Sequence, residues 1–237
     1  MKVIFKFFIT SLMFVSLQTQ AVLDIKITQG IEQALPIAIV PFSWSQASNV
    51  APLDLTKVIS ADLKRSGRFD VMDELDLPQR PTEFDAINFN DWRKLGMENI
   101  LIGNLTQTEN GDYDVSFRLI DVYRGKQIAG FRIPAKPNLL RRVAHQISDI
   151  IFEKLTGIPG AFDTRVAYIT VKKTKEKKIH TLQIADADGY NAQILLESPE
   201  PLLSPDWSPD GKKIAFQSDR GGSMDVWVVD VPLTARP

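Results

Sequence analysis

The chain has 237 residues, of which 28 are Lys or Arg and 29 are Asp or Glu. This balance lacks the basic excess of a nucleic-acid-binding protein, and the apolar share of 44% is that of an ordinary globular protein. The chain contains no cysteine, which excludes disulfide frameworks, thiolate nucleophiles and thiolate metal sites. The length predicts one or two domains, and two is our working interpretation.

The first 21 residues have the pattern of a signal peptide. Lys2 and Lys6 precede an apolar run over residues 7–17, which is far shorter than the about 20 apolar residues of a membrane-spanning helix. Thr19 and Ala21 stand at the minus-three and minus-one positions of a signal peptidase site. We therefore expect secretion, cleavage after Ala21, and a mature chain that begins at Val22.

The mature chain is predicted to begin with a mobile tail of residues 22–33. Apolar and polar side chains alternate in this segment, as they do in a strand. Such a tail can add to an exposed sheet edge through main-chain hydrogen bonds, and its alternate side chains then select the partner. The alternative is an ordinary edge strand of the chain's own domain.

Residues 34–160 are predicted to form one α/β domain with a mixed sheet. The apolar run 36–42 indicates a strand that is buried on both faces. Asp54 is placed to cap a helix, and Gly67 is placed to end it. A strand over 69–72 follows, and this order of strand, helix and strand is typical of a parallel crossover.

Three antiparallel strands are expected next. Strand patterns run over 100–108, 113–122 and 127–133. The pair Asn110-Gly111 predicts a two-residue hairpin turn in which both residues have positive φ. These strands extend the sheet and make it a mixed one.

Two further helical segments belong to this predicted domain. A short turn over 90–95 is expected to direct Trp92 and Leu95 into the core. A long helix with an apolar stripe is predicted over 138–157. His145 lies two positions from two members of that stripe, so it is expected to point away from the core and to be solvated.

Beyond the long helix, short strand patterns are separated by turns, without helical periodicity. Residues 166–168 (Val-Ala-Tyr) recur as 214–216 (Ile-Ala-Phe), and the strand pattern of 181–186 recurs over 225–230, about 45 residues further on. Strand repeats of this length are typical of β-propeller blades. We therefore predict that residues 161–237 form the first one to two blades of a propeller.

The sequence predicts no catalytic residue, cofactor, metal ligand, nucleic-acid site or small-molecule substrate. It has no Gly-x-Ser-x-Gly elbow, Walker-type loop or dinucleotide-binding glycine fingerprint, and its two histidines are His145 and His180. Asp186 and Asp188 suit a hairpin turn better than a calcium loop. The lysine run over 172–178 is interpreted as a solvated loop between two strands.

Several stretches carry a resemblance to a known family: 36–42, 61–67, 152–158, 160–162 and 204–216. The last of them contains the Pro-Asp-Gly turn of a propeller repeat. In this order they resemble the TolB family of the periplasmic Tol-Pal envelope system. The resemblance covers essentially the whole chain, and it implies an α/β domain, a six-bladed propeller, a periplasmic location and no enzymatic activity.

The family resemblance also implies partners. It indicates a scaffold that links TolA to Pal, is peripheral to the outer membrane through Pal, and supports outer-membrane integrity and envelope constriction in cell division; colicin binding stays open. It assigns TolA binding to the N-terminal tail. The contact residues implied in this way are Val22, Leu23, Asp24, Ile25, Lys26, Ile27, Gly30, Ile31 and Glu32.

The sequence departs from the family in its length. Only 73 residues follow Thr164 in the chain of 237, whereas six blades of about 45 residues would need about 270. We therefore expect a truncated form with an incomplete propeller. The alternative is a propeller fragment of a secreted serine peptidase that has lost its hydrolase domain, but here an α/β domain without a triad precedes the blades.

Overall fold

The computed structural model describes residues 34–44, 51–175 and 177–232. The predicted signal peptide, residues 1–21, and the predicted tail, residues 22–33, lie outside these ranges. No helix within the described ranges is both long and apolar enough to cross a membrane.

The first part of the described chain contains both helices and strands, and strands alone make up the last part. The elements of the first part are β1 (Leu35–Ile39), β2 (Ser43–Trp44), α1 (Leu55–Arg65), β3 (Phe69–Val71), α2 (Phe89–Lys94), β4 (Asn99–Gln107), β5 (Tyr113–Asp121), β6 (Lys126–Ala135) and α3 (Leu140–Thr156). Those of the last part are β7 (Arg165–Lys173), β8 (Lys178–Asp186), β9 (Gln193–Ser198), β10 (Leu202–Trp207), β11 (Lys213–Ser218) and β12 (Asp225–Asp230). This confirms the predicted fold class.

The strands of the first part form one mixed sheet, here called the large sheet. Its order is β3-β1-β4-β5-β6, and β2 pairs with β4. β1 is parallel to β3 and to β4, whereas β4, β5 and β6 run antiparallel. The run 36–42 therefore contributes a central strand, as predicted, although this strand ends at Ile39.

Helix α1, which connects the parallel strands β1 and β3, begins and ends as predicted. The Asp54 carboxylate accepts a hydrogen bond from the Lys57 N–H at 3.1 Å and so satisfies one free donor of the first turn. After the helix, Gly67 has a backbone φ of 69°, a conformation that residues with a Cβ rarely adopt. Ile59 and Leu63 are completely buried against the sheet.

The turn between β4 and β5 differs from the prediction. Of Asn110 and Gly111, only Gly111 has a positive φ, 84°. The Gly111 N–H donates to the Thr108 carbonyl at 3.0 Å, and the Thr108 N–H donates to the Asp112 carbonyl at 2.8 Å. The connection is therefore a longer loop in which a single left-handed glycine follows an ordinary turn.

Two apolar cores lie on opposite faces of the large sheet, because successive residues of a strand point to opposite sides. Helices α1 and α3 cover one face, whose core includes Ile37, Ile39, Ile59, Leu63, Leu101, Val115, Phe117, Leu119, Ile147 and Ile151. Helix α2 and the loop before it cover the other face, whose core includes Ala38, Val40, Trp92, Ile100, Ile102 and Ile120.

The short helix α2 confirms one core prediction and corrects another. Trp92 is completely buried, as expected, but Leu95 is 47% exposed. The helix already ends at Lys94, and Gly96 turns the chain with a φ of 72°. Leu95 therefore lies in the final turn, beyond the part of the helix that rests on the sheet.

The long helix α3 also differs from the prediction in two respects. Pro137–Leu139 form a 3-10 turn, so the α-helix starts at Leu140 instead of position 138. His145 is 2% exposed, and the prediction that it is solvated is wrong. Its side chain lies beside the main apolar stripe and points toward helix α1, where it meets the Asp62 carboxylate.

The last part of the chain forms two antiparallel sheets, here called the first small sheet (β7-β8-β9) and the second small sheet (β10-β11-β12). The sequence repeat aligns β7 with β11 and β8 with β12. In the structure these segments form equivalent strands of the two sheets, which confirms the predicted repeat. Within the described residues, the first small sheet therefore lacks a counterpart of β10, and the second lacks a counterpart of β9.

The two small sheets share one apolar core, as neighbouring propeller blades do. Strand β10 lies next to β7 and β8 of the first small sheet. The buried members of this core are Leu182, Ile184, Leu202, Ile214, Phe216 and Val231.

Candidate functional site

All predicted partner-binding residues, from Val22 to Glu32, lie outside the described residues. Within the described part, the largest concentration of buried charge lies where helices α1 and α3 meet the turn between β8 and β9 and the segment 157–164 between α3 and β7. We call this region the junction, because it joins the α/β part to the first small sheet.

A buried hydrogen bond between His145 and Asp62 connects the two helices at the junction. The Nδ1 of His145 on α3 lies 2.7 Å from Oδ2 of Asp62 on α1 and donates a hydrogen bond to it. The other Asp62 oxygen accepts a hydrogen bond from the Arg65 guanidinium at 3.0 Å. Asp62 is completely buried, and a buried carboxylate is stable only when charged or polar partners satisfy it. Arg65 and His145 fill this need.

The β8–β9 turn brings a second carboxylate to the same histidine. Asp188 Oδ2 forms an ion pair with the Arg141 guanidinium and lies 3.8 Å from Nε2 of His145. The guanidinium of Arg141 also lies over the ring of Tyr190, 4.0 Å from its centroid. Helix α3 thus holds the turn by an ion pair and by a cation–π contact.

The Asp188 carboxyl is held in its ionised form by its neighbours. Burial alone would raise its pKa, but hydrogen bonds from the Tyr190 N–H and the Arg141 guanidinium outweigh burial and lower the pKa below its ordinary value of 3.8. The Tyr190 N–H donates to Oδ1 at 2.9 Å, which also fixes the shape of the turn. At neutral pH the Asp188 carboxylate beside the histidine is therefore ionised.

Asp62, His145 and Asp188 offer three ligand atoms within 4.8 Å of one another, which raises the question of a metal ion. The Asp62 oxygens are occupied by His145 and Arg65, and Arg141 occupies the Asp188 oxygen nearest the histidine. A cation at this point would meet a guanidinium at contact distance. The donor set therefore suits an ion-pair network better than a metal.

Segment 157–164 is fixed to α3 by the side chain of Asp149. Its two oxygens accept hydrogen bonds from the N–H groups of Phe162 at 2.7 Å and of Asp163 at 3.1 Å. A Cβ on Gly160 would lie 2.6 Å from the Asp149 Cα, which is too close for any residue except glycine. The segment therefore follows the helix closely before it enters β7.

Aromatic and charged contacts extend this attachment. The Phe162 ring meets the Phe152 ring of α3 at a centroid distance of 5.7 Å. Asp163 accepts hydrogen bonds from Arg142 at 3.1 Å and from Gln146 at 3.0 Å, both on α3. The junction is thus built from an apolar contact, backbone capping and ion pairs along one side of a single helix.

Sequence reasoning missed the junction as a site. It treated Asp188 as a turn residue, which is correct, and His145 as a solvated residue, which is wrong. The available signal was a polar residue, His145, directly beside buried stripe positions of a long helix. A polar residue at such a position needs a partner from another element.

Comparison with protein families assigns both parts of the chain. Residues 23–128 match the TolB amino-terminal domain, and residues 152–236 match the TolB beta propeller domain. The two matches follow each other in the chain and leave residues 129–151 between them, which include most of β6 and the first 12 residues of α3.

Curated relatives and a solved structure agree with these matches. The Tol-Pal system protein TolB of Thioalkalivibrio sulfidiphilus is 44% identical over 215 residues, which are 91% of this chain and 49% of the relative. The protein of the same name from Hydrogenovibrio crunogenus is 45% identical over 212 residues, 89% of this chain and 49% of the relative. The chain thus spans about half the length of these relatives.

The crystal structure of TolB from Acinetobacter baumannii has a similar fold. It superposes with a TM-score of 0.73 at 33% sequence identity, covering 86% of this chain and 49% of the other. With an amino-terminal domain and a propeller segment that both match in order, this chain belongs to the TolB family.

Proposed function

We propose that this chain is a non-enzymatic scaffold of the periplasmic Tol-Pal system, which links TolA to Pal and supports outer-membrane integrity and envelope constriction in cell division. The observation that carries the proposal is the presence of both TolB-type parts in one chain, in the family order. The names of the curated relatives, which place them in the Tol-Pal system, support it.

We further propose a division of the chain, which the order of the two family matches supports. Residues 1–21 would be a signal peptide that directs the chain to the periplasm, and residues 22–33 a tail that binds TolA. Residues 34–160 would form the amino-terminal domain and residues 161–237 the propeller part. The assignment of TolA binding to the tail rests on the family resemblance. Pal binding is a separate question, because the chain covers 49% of its curated relatives.

Calorimetric titration of the mature chain, residues 22–237, with the periplasmic C-terminal domain of TolA tests the proposal. We expect micromolar binding, about −8 kcal/mol. In a strand-like tail Ile25 and Ile27 share one face, and Asp24 and Lys26 share the other. The double variant I25D/I27D is expected to lose binding, whereas the matched control D24N/K26Q retains it.

Two results would contradict this assignment. Undiminished TolA binding after deletion of residues 22–33 would remove the role of the tail. An absence of heat from a chain whose circular dichroism shows a folded protein would remove the TolA link itself. A separate pull-down with Pal decides whether the propeller part present here is sufficient for that partner.

A further inference from the structure

The hairpin of β7 and β8 extends beyond the rest of the first small sheet. Its strands pair from Arg165 opposite Asp186 to Lys173 opposite Lys178. Strand β9, however, pairs with β8 only from Ile184 to His180. The last two cross-strand pairs of the hairpin and its turn therefore project past the third strand as a two-stranded arm.

The end of this arm carries a concentration of positive charge. All its lysine side chains are exposed, and none forms an ion pair with another described residue. They are Lys172, Lys173, Lys175, Lys177 and Lys178. Five of the 28 basic residues thus fall within seven positions, beside one acidic residue, although the whole chain has a net charge of −1. The remainder of the molecule is therefore acidic.

The arm holds these charges together against their repulsion. Lys173 and Lys178 are directly opposite each other, an arrangement of like charges that destabilises a strand pair. The turn is nevertheless fixed, because the Thr174 N–H donates to the Lys177 carbonyl at 2.8 Å and the Thr174 hydroxyl accepts from the Lys177 N–H at 3.1 Å. An anionic partner would relieve this repulsion without a change in the backbone.

The positions of the lysines indicate the kind of anion. Lys173 and Lys178 point to one face of the hairpin, Lys172 points to the other, and the turn lysines lie at the end. The charge therefore surrounds the end of the arm instead of lining one face or a pocket. The end of the arm can approach a layer of mobile anionic groups directly, and it suits such a layer better than the shaped surface of a protein. It also lacks the interleaved aromatic residues of a nucleic-acid site.

We propose that the lysine end of the β7–β8 hairpin binds the surface of a bilayer that contains anionic phospholipid. Lysine ammonium groups are compact charges that pair with phosphate without a fixed geometry, and each lysine near such a surface adds roughly five-fold to the affinity. Val171, next to the lysines, is 53% exposed and adds an apolar contact at the headgroup level.

Vesicle co-sedimentation tests the proposal with the mature chain, residues 22–237. Vesicles of phosphatidylcholine with one quarter phosphatidylglycerol are compared with pure phosphatidylcholine at low and high salt. We expect binding to the anionic vesicles alone, and at least a ten-fold loss at high salt. The variant K172Q/K173Q/K175Q/K177Q/K178Q is expected to lose at least ten-fold in binding, and the corresponding Lys→Arg variant retains it.

A matched control removes the same number of charges elsewhere. The exposed lysines chosen for it are Lys57, Lys94, Lys126, Lys136 and Lys154. Circular dichroism of both Gln variants ensures that a loss of binding does not reflect unfolding. Equal losses in the two variants, or equal binding to neutral vesicles, would overturn the proposal. Binding to polyglutamate without binding to anionic vesicles would assign the arm to an acidic protein and overturn it as well.

Discussion

The Arg141 guanidinium lies over the Tyr190 ring, 4.0 Å from its centroid, and pairs with Asp188 in the same turn. One side chain of helix α3 thus makes two different contacts with the β8–β9 turn of the first small sheet. Because Arg141 is three-quarters buried, water screens its ion pair less than it screens a surface pair. The α/β part and the propeller part are therefore attached through the side of a helix, in addition to the chain that connects them.

Replacement of Arg141 by Gln is expected to weaken this attachment. The variant loses the ion pair and the cation–π contact, so we expect the free energy of unfolding to fall by about 1–3 kcal/mol. Urea unfolding gives this value, and hydrogen exchange shows whether the amides of β7 and β8 lose protection first. The control is R142Q on the same helix, whose half-exposed pair with Asp163 contributes less than about 1 kcal/mol. Equal effects of R141Q and R142Q would contradict the attachment.

Removal of the buried contact between His145 and Asp62 is also expected to lower the free energy of unfolding. In H145A the buried Asp62 carboxylate loses its hydrogen bond from His145, so we expect a loss of about 2–3 kcal/mol in unfolding free energy. The loss is not larger because Asp62 keeps Arg65 as a charged partner. The neighbouring variant Q146A removes a half-buried hydrogen bond to Asp163 and should cost about 1 kcal/mol. Thermal and urea unfolding of both variants measure the difference. A loss in H145A no larger than in Q146A would show that the pair does not contribute.

Acid should weaken the junction through Asp188. Its folded-state pKa lies below the ordinary value of 3.8, so the unfolded chain takes up the proton first as the pH falls. The stability from its ionised form is complete above about pH 4 and is lost as the pH falls from there through the lower folded-state pKa. The difference in unfolding free energy between the native chain and D188N should be constant from pH 7 to pH 5 and smaller at pH 3. An unchanged difference at pH 3 would contradict this.

The segment between the two parts should not tolerate a side chain at Gly160. In G160A the new methyl group meets the Asp149 backbone, so the segment moves away and the two Asp149 hydrogen bonds to Phe162 and Asp163 weaken. We expect a loss of about 1–3 kcal/mol and faster proteolytic cleavage within 157–164. Gly189 has a positive φ but open space around it, so G189N in the β8–β9 turn is a suitable control. Equal cleavage rates in both variants would contradict the close approach.

The sequence predicts the fold of this chain well and the junction poorly, for a physical reason. Periodicity and capping depend on neighbours in sequence, and they place α1, the mixed sheet and the repeated strands correctly. The environment of His145 depends on Asp62 and Asp188, which are 83 residues before it and 43 residues after it. Nothing in the pattern of α3 shows that these acids approach the helix. The prediction for Leu95 is wrong for a similar reason, because tertiary packing decides where α2 leaves the sheet.

The free edge of β12 should promote self-association. Among the residues that the structure describes, this strand pairs with β11 alone, and Val226 and Val228 are 69% and 58% exposed. Unpaired, apolar edge strands readily add another strand, so we expect concentration-dependent association in light scattering. The variant V226K/V228K should reduce it, because a charged edge disfavours pairing. The control L75K changes a residue that is 93% exposed and lies outside every strand, so it should leave association unchanged. If L75K reduced association equally, general surface charge would explain the effect instead of the edge of β12.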